Sequence, residues 1–308
     1  MRSMNKGTAS MIAALFLAVT LFAAAPARAA EPKHIVMIAG NPSHGFGSHE
    51  HYAGLRLLAD TLERSDLPVK VTVTRGWPED PTFLQSADSI VIFSDGGGGH
   101  LALPHRDQLR ARIKKGTGFV CLHYATEVPK GPEGNDWLEF LGGYFETHWS
   151  VNPHWVAKFD NLPKHPVTNG VKPFEANDEW YFHLRFAPPP AKVTPILQAV
   201  APESTMRRPD GPHSGNPDAR KSVAAGEPQT VAWTFERPDG GRSFGFTGAH
   251  YHWNWGNASM LRLVTNAIAW TAGVEIPNEG VSLEPPGVKR LLDNQDYAPP
   301  KDFDAERV

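Results

Sequence analysis

Hydrophobic residues in the first half of the chain fall into short runs, separated by segments with helical spacing. The run at residues 34–39 (HIVMIA) is continuous and ends in Gly-Asn-Pro, which is typical of a buried parallel strand that stops in a loop. From residue 49 to residue 64, apolar residues recur every three or four positions and predict an amphipathic helix. Further strands are predicted at residues 69–74, 89–94 and 118–125, and a further helix from Pro104 to about Lys115. This alternation predicts a doubly wound, mostly parallel α/β sheet.

The second half of the chain has a different pattern, in which long loops separate the strand-like runs. These runs cover residues 151–160, 192–200, 230–236 and 243–247. They predict an antiparallel section appended to the parallel sheet, before a last helix at residues 257–270. Residues 204–226 are rich in Pro, Gly, Asp and Arg and lack periodicity, so we expect a mobile surface insertion or lid there.

Residues 1–30 have the layout of a secretory signal peptide. They contain a basic start, an apolar run at residues 11–25 and the small residues of Ala27-Arg28-Ala29. The apolar run is shorter than the ~20 residues that span a bilayer, which favours cleavage after Ala29 or Ala30 over an uncleaved anchor. We therefore expect a periplasmic or secreted protein without membrane attachment, made of one domain at residues 31–273 and a C-terminal tail at residues 274–308.

Composition narrows the class of partner. The chain has 308 residues, of which 41% are hydrophobic, enough to bury the core of one large domain. With 30 basic and 33 acidic residues its formal net charge is -3, which gives no general attraction to nucleic acid or anionic lipid. The four glycines at 96–99 match neither a P-loop nor a GxGxxG motif, so no nucleotide cofactor is indicated. A small neutral molecule is the expected partner.

Histidine residues occur where the predicted strands end, which is where doubly wound sheets bind ligands. His44 lies in the loop after the first strand, His123 near the end of strand 118–125, and His250 after the last strand of the sheet. Glu179 lies between aromatic residues, a setting that can hold a carboxylate for metal binding or proton transfer. These four are the candidate catalytic residues, and a structural role is the alternative for each.

The segment Ser48-His49-Glu50 has two interpretations. Ser48 is a good helix N-cap, which would place His49 and Glu50 in the exposed first turn of the helix. The density of three histidines and a glutamate within residues 44–51 equally favours a functional role.

A divalent metal is a further possibility. Neutral imidazoles with a carboxylate form a good ligand set, most often for zinc, and three ligands with an open position make a catalytic site. His44, His123 and His250 are the candidate ligands. The sequence has no compact HExxH or CxxC spacing, so this prediction depends on the three side chains meeting in the folded chain.

Aromatic and histidine residues in the same loops are candidate sugar contacts, because aromatic faces pack on the apolar faces of sugar rings. Core packing is the alternative for some of them. The candidate substrate-binding residues are His148, Tyr181, Tyr251, His252, Trp253 and Trp255.

Several of these segments together resemble the ThuA-like, trehalose-utilisation family across about residues 33–273. The resemblance implies a flavodoxin-like fold similar to class I glutamine amidotransferases. It also implies a role in sugar metabolism, which in relatives is often tied to keto-form disaccharides or glycosides. The segments are the His44 loop, Gly118-Phe119-Val120-Cys121-Leu122-His123, Leu141-Gly142-Gly143-Tyr144-Phe145 with His148, His165-Pro166-Val167, Asp178-Glu179-Trp180-Tyr181, and Gly248-Ala249-His250 with Ile268-Ala269-Trp270.

The amidotransferase likeness raises a glutaminase as a rival. Cys121, the only cysteine, lies near the position of the catalytic nucleophile, and His250 near that of the catalytic histidine. However, Leu-His-Tyr follows Cys121 in place of Leu-Gly-Gln/His, and His252 replaces the usual glutamate. A glutaminase is therefore disfavoured, and Cys121 is expected to be a core residue.

The leading hypothesis is an exported enzyme that processes a glycoside or keto-sugar through His/Glu acid-base or metal-assisted chemistry. A lyase, an isomerase and a hydrolase all remain open. The alternative from another class is a non-catalytic sugar-binding protein.

Overall fold

A mostly parallel sheet forms the centre of the computed structural model, which describes residue 1 and residues 31–307. The strands are β1 (Lys33–Ala39), β2 (Val69–Arg75), β3 (Ser89–Phe93), β4 (Gly118–Leu122), β5 (Gly143–Tyr144), β6 (His154–Phe159), β7 (Phe174–Glu179), β8 (Arg185–Phe186), β9 (Lys192–Val200), β10 (Pro228–Glu236) and β11 (Arg242–Phe246). The helices are α1 (His51–Glu63), α2 (Arg106–Ile113), α3 (Pro132–Phe140), α4 (Pro217–Ala224), α5 (Ala258–Thr271) and α6 (Val288–Leu291).

The central sheet has the order β2-β1-β3-β4-β11-β10-β9. The first five strands in this order pair in parallel, whereas β10 runs antiparallel to both of its neighbours. Two small antiparallel sheets, β5 with β8 and β6 with β7, lie outside it. This arrangement confirms the predicted fold class, a doubly wound sheet with an appended antiparallel section.

Both faces of the sheet are covered because its inner strands are apolar throughout. All residues of β3 and β4 are buried. Alternate residues of β1 belong to different core clusters: Met37 packs with the apolar stripes of α1 and α5, and Ile38 with those of α2 and α3. Since successive side chains of a strand point to opposite faces, the two helix pairs cover opposite faces of the sheet.

Two element ends differ from the sequence prediction. The strand predicted at residues 118–125 ends at Leu122, and a short 3-10 turn, His123–Thr126, follows it. Helix α1 begins at His51, with Glu50 in the N-cap position and no side-chain cap. Ser48 does not cap it, because its backbone instead forms a β-bridge with Tyr251.

Residues 204–226 contain a helix, α4, although their composition predicted an irregular and mobile segment. The Asn216 side chain caps α4 by accepting a hydrogen bond from the backbone of Ala219 at 2.9 Å. Arg220 donates to Asp210 Oδ1 at 2.8 Å and to the carbonyl of Arg208 at 2.7 Å. These hydrogen bonds join residues of the segment to one another, so the polar residues that predicted mobility stabilise its structure.

The part of the chain that carries the fold, Pro32–Val308, forms one unit. Within residues 31–307, no helix combines the length and the hydropathy that crossing a bilayer requires. The predicted signal peptide, apart from Met1, lies outside the described residues.

Candidate functional site

Three histidines follow the carboxyl ends of parallel strands and meet beside Glu179. His49 lies in the loop after β1, His123 directly follows β4, and His250 follows β11. Glu179 is the last residue of β7. All four side chains are buried, and each has a metal-ligating atom within 4.8 Å of those of the other three. We call these four residues the His/Glu cluster.

The donor atoms of the His/Glu cluster are close enough to share one ion. His49 Nε2 lies 3.0 Å from His123 Nε2 and 3.1 Å from His250 Nδ1. Glu179 Oε2 lies 3.2 Å from His250 Nδ1 and 3.6 Å from His123 Nε2. Three nitrogens and one oxygen therefore surround a common point.

Hydrogen bonds behind the cluster determine which imidazole nitrogens carry protons. His123 Nδ1 donates to the carbonyl of Thr247 at 2.8 Å, so its Nε2 presents a lone pair in the neutral ring. Burial, together with His49 and His250 nearby, lowers the pKa of His123 well below its usual value and keeps the ring neutral.

His49 is held in the same way by a carboxylate. Its Nδ1 lies 2.8 Å from Asp95 Oδ1 and donates to it. Burial alone would raise the pKa of Asp95, but hydrogen bonds from His49 and Ser43 outweigh burial and lower it, so the carboxylate stays ionised. The proton on Nδ1 leaves the lone pair of His49 on Nε2, which faces His123 and His250.

The backbone is strained at the cluster. His44, His49 and His123 have φ angles of 62°, 50° and 53°, and Ala249, the neighbour of His250, has 82°. A non-glycine residue in this left-handed region costs about 1–3 kcal/mol and persists only where its surroundings enforce it. Such strain is concentrated at functional sites, which supports a functional role for these loops.

Backbone pairing joins the loops that carry His49 and His250. The N–H of His49 donates to the carbonyl of His250 at 3.0 Å, and the N–H of His252 donates to the carbonyl of Gly47 at 2.9 Å. These hydrogen bonds thus hold His49 and His250 side by side, although 201 positions separate them in the sequence.

The Asp178 carboxylate fixes the position of the His250 loop by accepting hydrogen bonds from its backbone. Its Oδ1 accepts hydrogen bonds from the backbone of Glu179 at 2.8 Å and of His250 at 3.0 Å. Its Oδ2 accepts from the backbone of Ala249 at 2.7 Å and from Asn254 Nδ2 at 2.9 Å. This fully buried carboxylate therefore holds the strained Ala249 and two cluster residues in register.

Tyr181 and Asn152 complete the surroundings of Glu179. The Tyr181 hydroxyl donates to Glu179 Oε2 at 3.3 Å and lies 3.2 Å from His123 Nε2. Burial, and secondly the charge of Glu179, raises the pKa of Tyr181 well above its usual value, so the hydroxyl keeps its proton. Asn152 Nδ2 donates to Glu179 Oε1 at 3.0 Å.

The cluster opens into a pocket of about 420 Å³. This volume lies within the range of about 300–1,000 Å³ that is common for small-molecule sites. Its lining is polar and can exchange many hydrogen bonds with a hydroxylated ligand. The lining residues are His44, His49, Tyr124, Asn152, Glu179, Tyr181, Arg208 and His213.

Of the predicted metal ligands, the structure brings His123 and His250 into the cluster and places His44 beside it. His44 is exposed, and its ring packs on that of His49 with 3.6 Å between centroids. His44 belongs instead to a second group, with His49 and Asp95, whose donor atoms also lie within 4.8 Å of one another. In the cluster itself, His49 has the place that the sequence prediction gave to His44.

The predicted sugar contacts separate into two sets. Tyr181 lines the pocket, and the hydroxyl of Tyr251 lies 3.1 Å from His154 Nδ1 near it. Trp255 is fully buried in the core, and Trp253 packs between Phe46 and Phe303. Trp253 also fills the space beside Gly47, where a Cβ atom would lie 2.7 Å from its ring. Both tryptophans stabilise the loop and do not line the pocket.

The remaining two predicted contacts also lie outside the pocket lining. His252 is buried, and burial lowers its pKa to about 4. His148 is exposed, and its backbone N–H donates to the carbonyl of Pro212 at 2.7 Å.

The expectation of an exposed first helical turn for His49 and Glu50 is wrong. Both are buried, His49 in the cluster and Glu50 between two chain segments. Glu50 Oε1 accepts from the backbone of Gly47 at 3.1 Å, and Oε2 from that of Asp296 at 2.8 Å. Sequence reasoning left the role of His49 open between two interpretations. The residues that it missed are Asp178 and Asp95, together with Arg208 and His213 from the 204–226 segment. The histidine density around residue 49 was the signal that favoured a functional role for His49.

Cys121 is a core residue, as predicted. It is completely buried in β4, and burial raises the pKa of its thiol well above the usual value. A thiol without solvent access that keeps its proton cannot act as the nucleophile of a glutaminase.

Comparisons with known proteins agree with this architecture. A statistical model of one protein family, ThuA, described as trehalose utilisation, matches residues 36–271. No curated protein matches the chain.

Solved structures with the same fold include two ThuA-like proteins. One, from Bacteroides uniformis, is 18% identical with a TM-score of 0.54, covering 81% of this chain and 95% of the other. Another, from Parabacteroides merdae, is 13% identical with a TM-score of 0.50, covering 82% and 92%. At these identities the likeness concerns the fold alone.

Proposed function

This chain belongs to the ThuA family, described as trehalose utilisation, and on that premise we propose that it is an exported, metal-dependent enzyme that processes a glycoside or keto-sugar. The observation that carries the proposal is the convergence of His49, His123, His250 and Glu179 beside a pocket that His49 and Glu179 line.

The donor set fits a divalent ion such as zinc. In a tetrahedron with Zn–N bonds of ~2.0–2.1 Å, neighbouring ligand atoms lie about 3.3 Å apart. Four of the six separations in the cluster, 3.0, 3.1, 3.2 and 3.6 Å, are near this value, and all six are within 4.8 Å. Three neutral imidazoles and one carboxylate are also the ligand types that zinc prefers.

The hydrogen bonds behind the ligands support the same conclusion. Metal-bound histidines commonly donate their other N–H to a carboxylate or a backbone carbonyl. His49 does so to Asp95 and His123 to Thr247. Their two Nε2 lone pairs face each other at 3.0 Å, an arrangement that is repulsive between neutral rings and that a cation relieves.

A divalent ion at this site would supply Lewis-acid chemistry toward a carbonyl or hydroxyl oxygen. The chain itself supplies the remaining functions. Asn152 holds the Glu179 carboxylate, and Tyr181 keeps a proton next to it. Tyr124 and Arg208 add hydrogen-bond donors to the pocket wall, where a sugar has hydroxyl groups to accept them.

Metal content tests the proposal first. The mature chain, purified without a histidine tag, should contain close to one divalent ion, and His49→Ala should lose it. His105→Ala is the matched control, because this half-buried ring stacks on Trp77 and is not part of the cluster. An unchanged metal content in His49→Ala, or metal-free wild-type protein, would contradict the metal-dependent proposal.

Turnover tests the substrate class. Trehalose, 4-nitrophenyl glucosides and their oxidised keto forms are the probes, each assayed before and after chelation. Chelator-sensitive turnover supports the enzyme. Probes that bind without turning over would instead indicate the sugar-binding alternative. Export is tested separately by sequencing the N-terminus of the protein recovered from outside the cytoplasm, which should begin at residue 30 or 31.

A further inference from the structure

A second acid-base pair, Glu127 and His213, lies at the same pocket but outside the His/Glu cluster. His213 Nε2 lies 3.0 Å from Glu127 Oε1 and 3.1 Å from Oε2. The Glu127 carboxylate is buried, with its residue 2% exposed, whereas His213 lines the pocket. A buried carboxylate behind a pocket histidine is the arrangement that orients imidazole for proton transfer in many enzymes.

The His213 ring is held firmly in place. It stacks on Phe145 with 5.4 Å between centroids and 24° between planes. Its backbone carbonyl accepts from the N–H of Asn152 at 3.0 Å and from Arg208 Nη2 at 3.2 Å. Since Nε2 is turned to Glu127, Nδ1 is the nitrogen left without a hydrogen bond to any residue in the described part of the chain.

The charges around His213 favour its protonated form. The hydrogen bond that His213 donates to Glu127 raises the pKa of His213 and outweighs the opposing effect of burial. Glu179 also raises this pKa and Arg208 lowers it, and the net shift is upward. In the protonated ring, Nδ1 carries a proton that no hydrogen bond within the described residues holds.

We propose that His213 is the general acid of this enzyme, donating its Nδ1 proton to the leaving-group oxygen, and that Glu127 is its positioning residue. This inference rests on the proposed function. As the glycosidic C–O bond breaks, its electron pair passes to the leaving oxygen, which takes the Nδ1 proton. The carbon left behind bonds to the oxygen of water in hydrolysis. In elimination, the electron pair of the neighbouring C–H bond forms the C=C bond and that proton passes to solvent. His213 becomes neutral, and its Nε2–H group stays hydrogen-bonded to the Glu127 carboxylate. The same protonation serves hydrolysis and elimination from a keto-glycoside, because both expel that oxygen.

The contact between His213 and Glu127 would look the same if its role were structural, namely to hold the 204–226 segment in place. The experiment must therefore separate the structural role from proton transfer. A general acid matters most when the leaving group is a poor one. His213→Gln should therefore lower kcat/KM for a methyl glycoside by about 10²–10⁴-fold, and by less than about tenfold for the 4-nitrophenyl glycoside of the same sugar. His105→Gln, which removes a ring that also stacks on an aromatic side chain, should change neither rate.

The pH profile gives a second readout. A general acid works while protonated, so the wild-type rate should fall as pH rises through the pKa of His213. Glu127→Gln should move this fall to lower pH because the charge that raises the pKa is gone, and His213→Gln should abolish it.

Equal rate losses on both glycosides, with an unshifted pH profile, would overturn the general-acid proposal and indicate a structural role for the contact between His213 and Glu127. If the wild-type protein turns over neither these glycosides nor their oxidised keto forms, the proposed function fails and the general acid fails with it. The wild-type assay thus distinguishes the two failures.

Discussion

Replacing Asp178 by Asn should destabilise the protein and loosen the His/Glu cluster without changing a cluster residue. The substitution keeps the shape of the side chain but turns one carboxylate oxygen into an NH₂ donor. Both carboxylate oxygens accept hydrogen bonds from backbone N–H groups of the His250 loop or of Glu179. Whichever oxygen is replaced, the new NH₂ group therefore faces an N–H group and no hydrogen bond can form there.

The magnitude follows from the hydrogen bonds at Oδ2. The N–H of Ala249 would lose its acceptor, and an unsatisfied buried donor costs about 1–3 kcal/mol. Asn254 would lose a charge-assisted bond of about 1.5–3 kcal/mol but keep its bond to the carbonyl of Asn177 at 2.9 Å. Burial raises the pKa of Asp178 despite these bonds, so removing the buried charge offsets part of the loss. We expect a net loss of about 3 kcal/mol.

Urea denaturation measures this loss, and a competing chelator measures metal affinity. We expect affinity to fall about 10–100-fold, as for other residues that orient metal ligands. Asp160→Asn makes the same change at an exposed position and should alter neither quantity. If Asp178→Asn unfolds within about 0.5 kcal/mol of the wild type and binds metal equally well, the positioning role assigned to Asp178 is refuted.

Three further predictions concern backbone strain, pH and the lone cysteine. His49→Gly should be more stable to urea than His49→Ala by about 1–2 kcal/mol, because only glycine adopts the φ of 50° without strain; equal stabilities would contradict that strain. Burial lowers the pKa of His100 to about 4, so the unfolded chain takes up a proton first as pH falls from 6.5 to 4. His100 should contribute about 3 kcal/mol to the unfolding free energy lost over this window, and His100→Asn should show a shallower pH dependence in urea titrations. Cys121→Ala should cost about 1 kcal/mol and leave turnover unchanged, whereas a glutaminase would lose all activity.

The fold could be predicted from sequence because its signals are local. The runs that became β1, β3 and β4 are apolar throughout, and the helical spacing of α5 is unbroken. Strand β7 was missed because its sequence, FEANDE, has only two apolar residues and alternates exposed with buried positions. Its burial comes from pairing with β6, which no local pattern reveals.

The candidate site was predicted in part, for the same physical reason. His123 and His250 could be selected because they follow or end strand-like runs, and Glu179 because it lies between aromatic residues. The role of His49 stayed open because Ser48 is a good N-cap, which favoured a helical turn; the bridge between Ser48 and Tyr251 overrides that local rule. Residues 204–226 had no hydrophobic period, yet they supply Arg208 and His213 to the pocket wall.

Three histidines at the site have positive φ angles, as do His148, His183 and Asn294 elsewhere in the described residues. At φ angles of 50° to 62°, glycine is the residue that local geometry favours, yet His44, His49 and His123 stand there. Each costs stability that the paired loops and the Asp178 hydrogen bonds must offset. A histidine in such a position contributes what glycine cannot, a nitrogen donor held in one direction. The strained backbone of His49 and His123 holds their Nε2 atoms 3.0 Å apart, with both lone pairs directed to the same point. This arrangement favours a metal site over a structural role for these histidines.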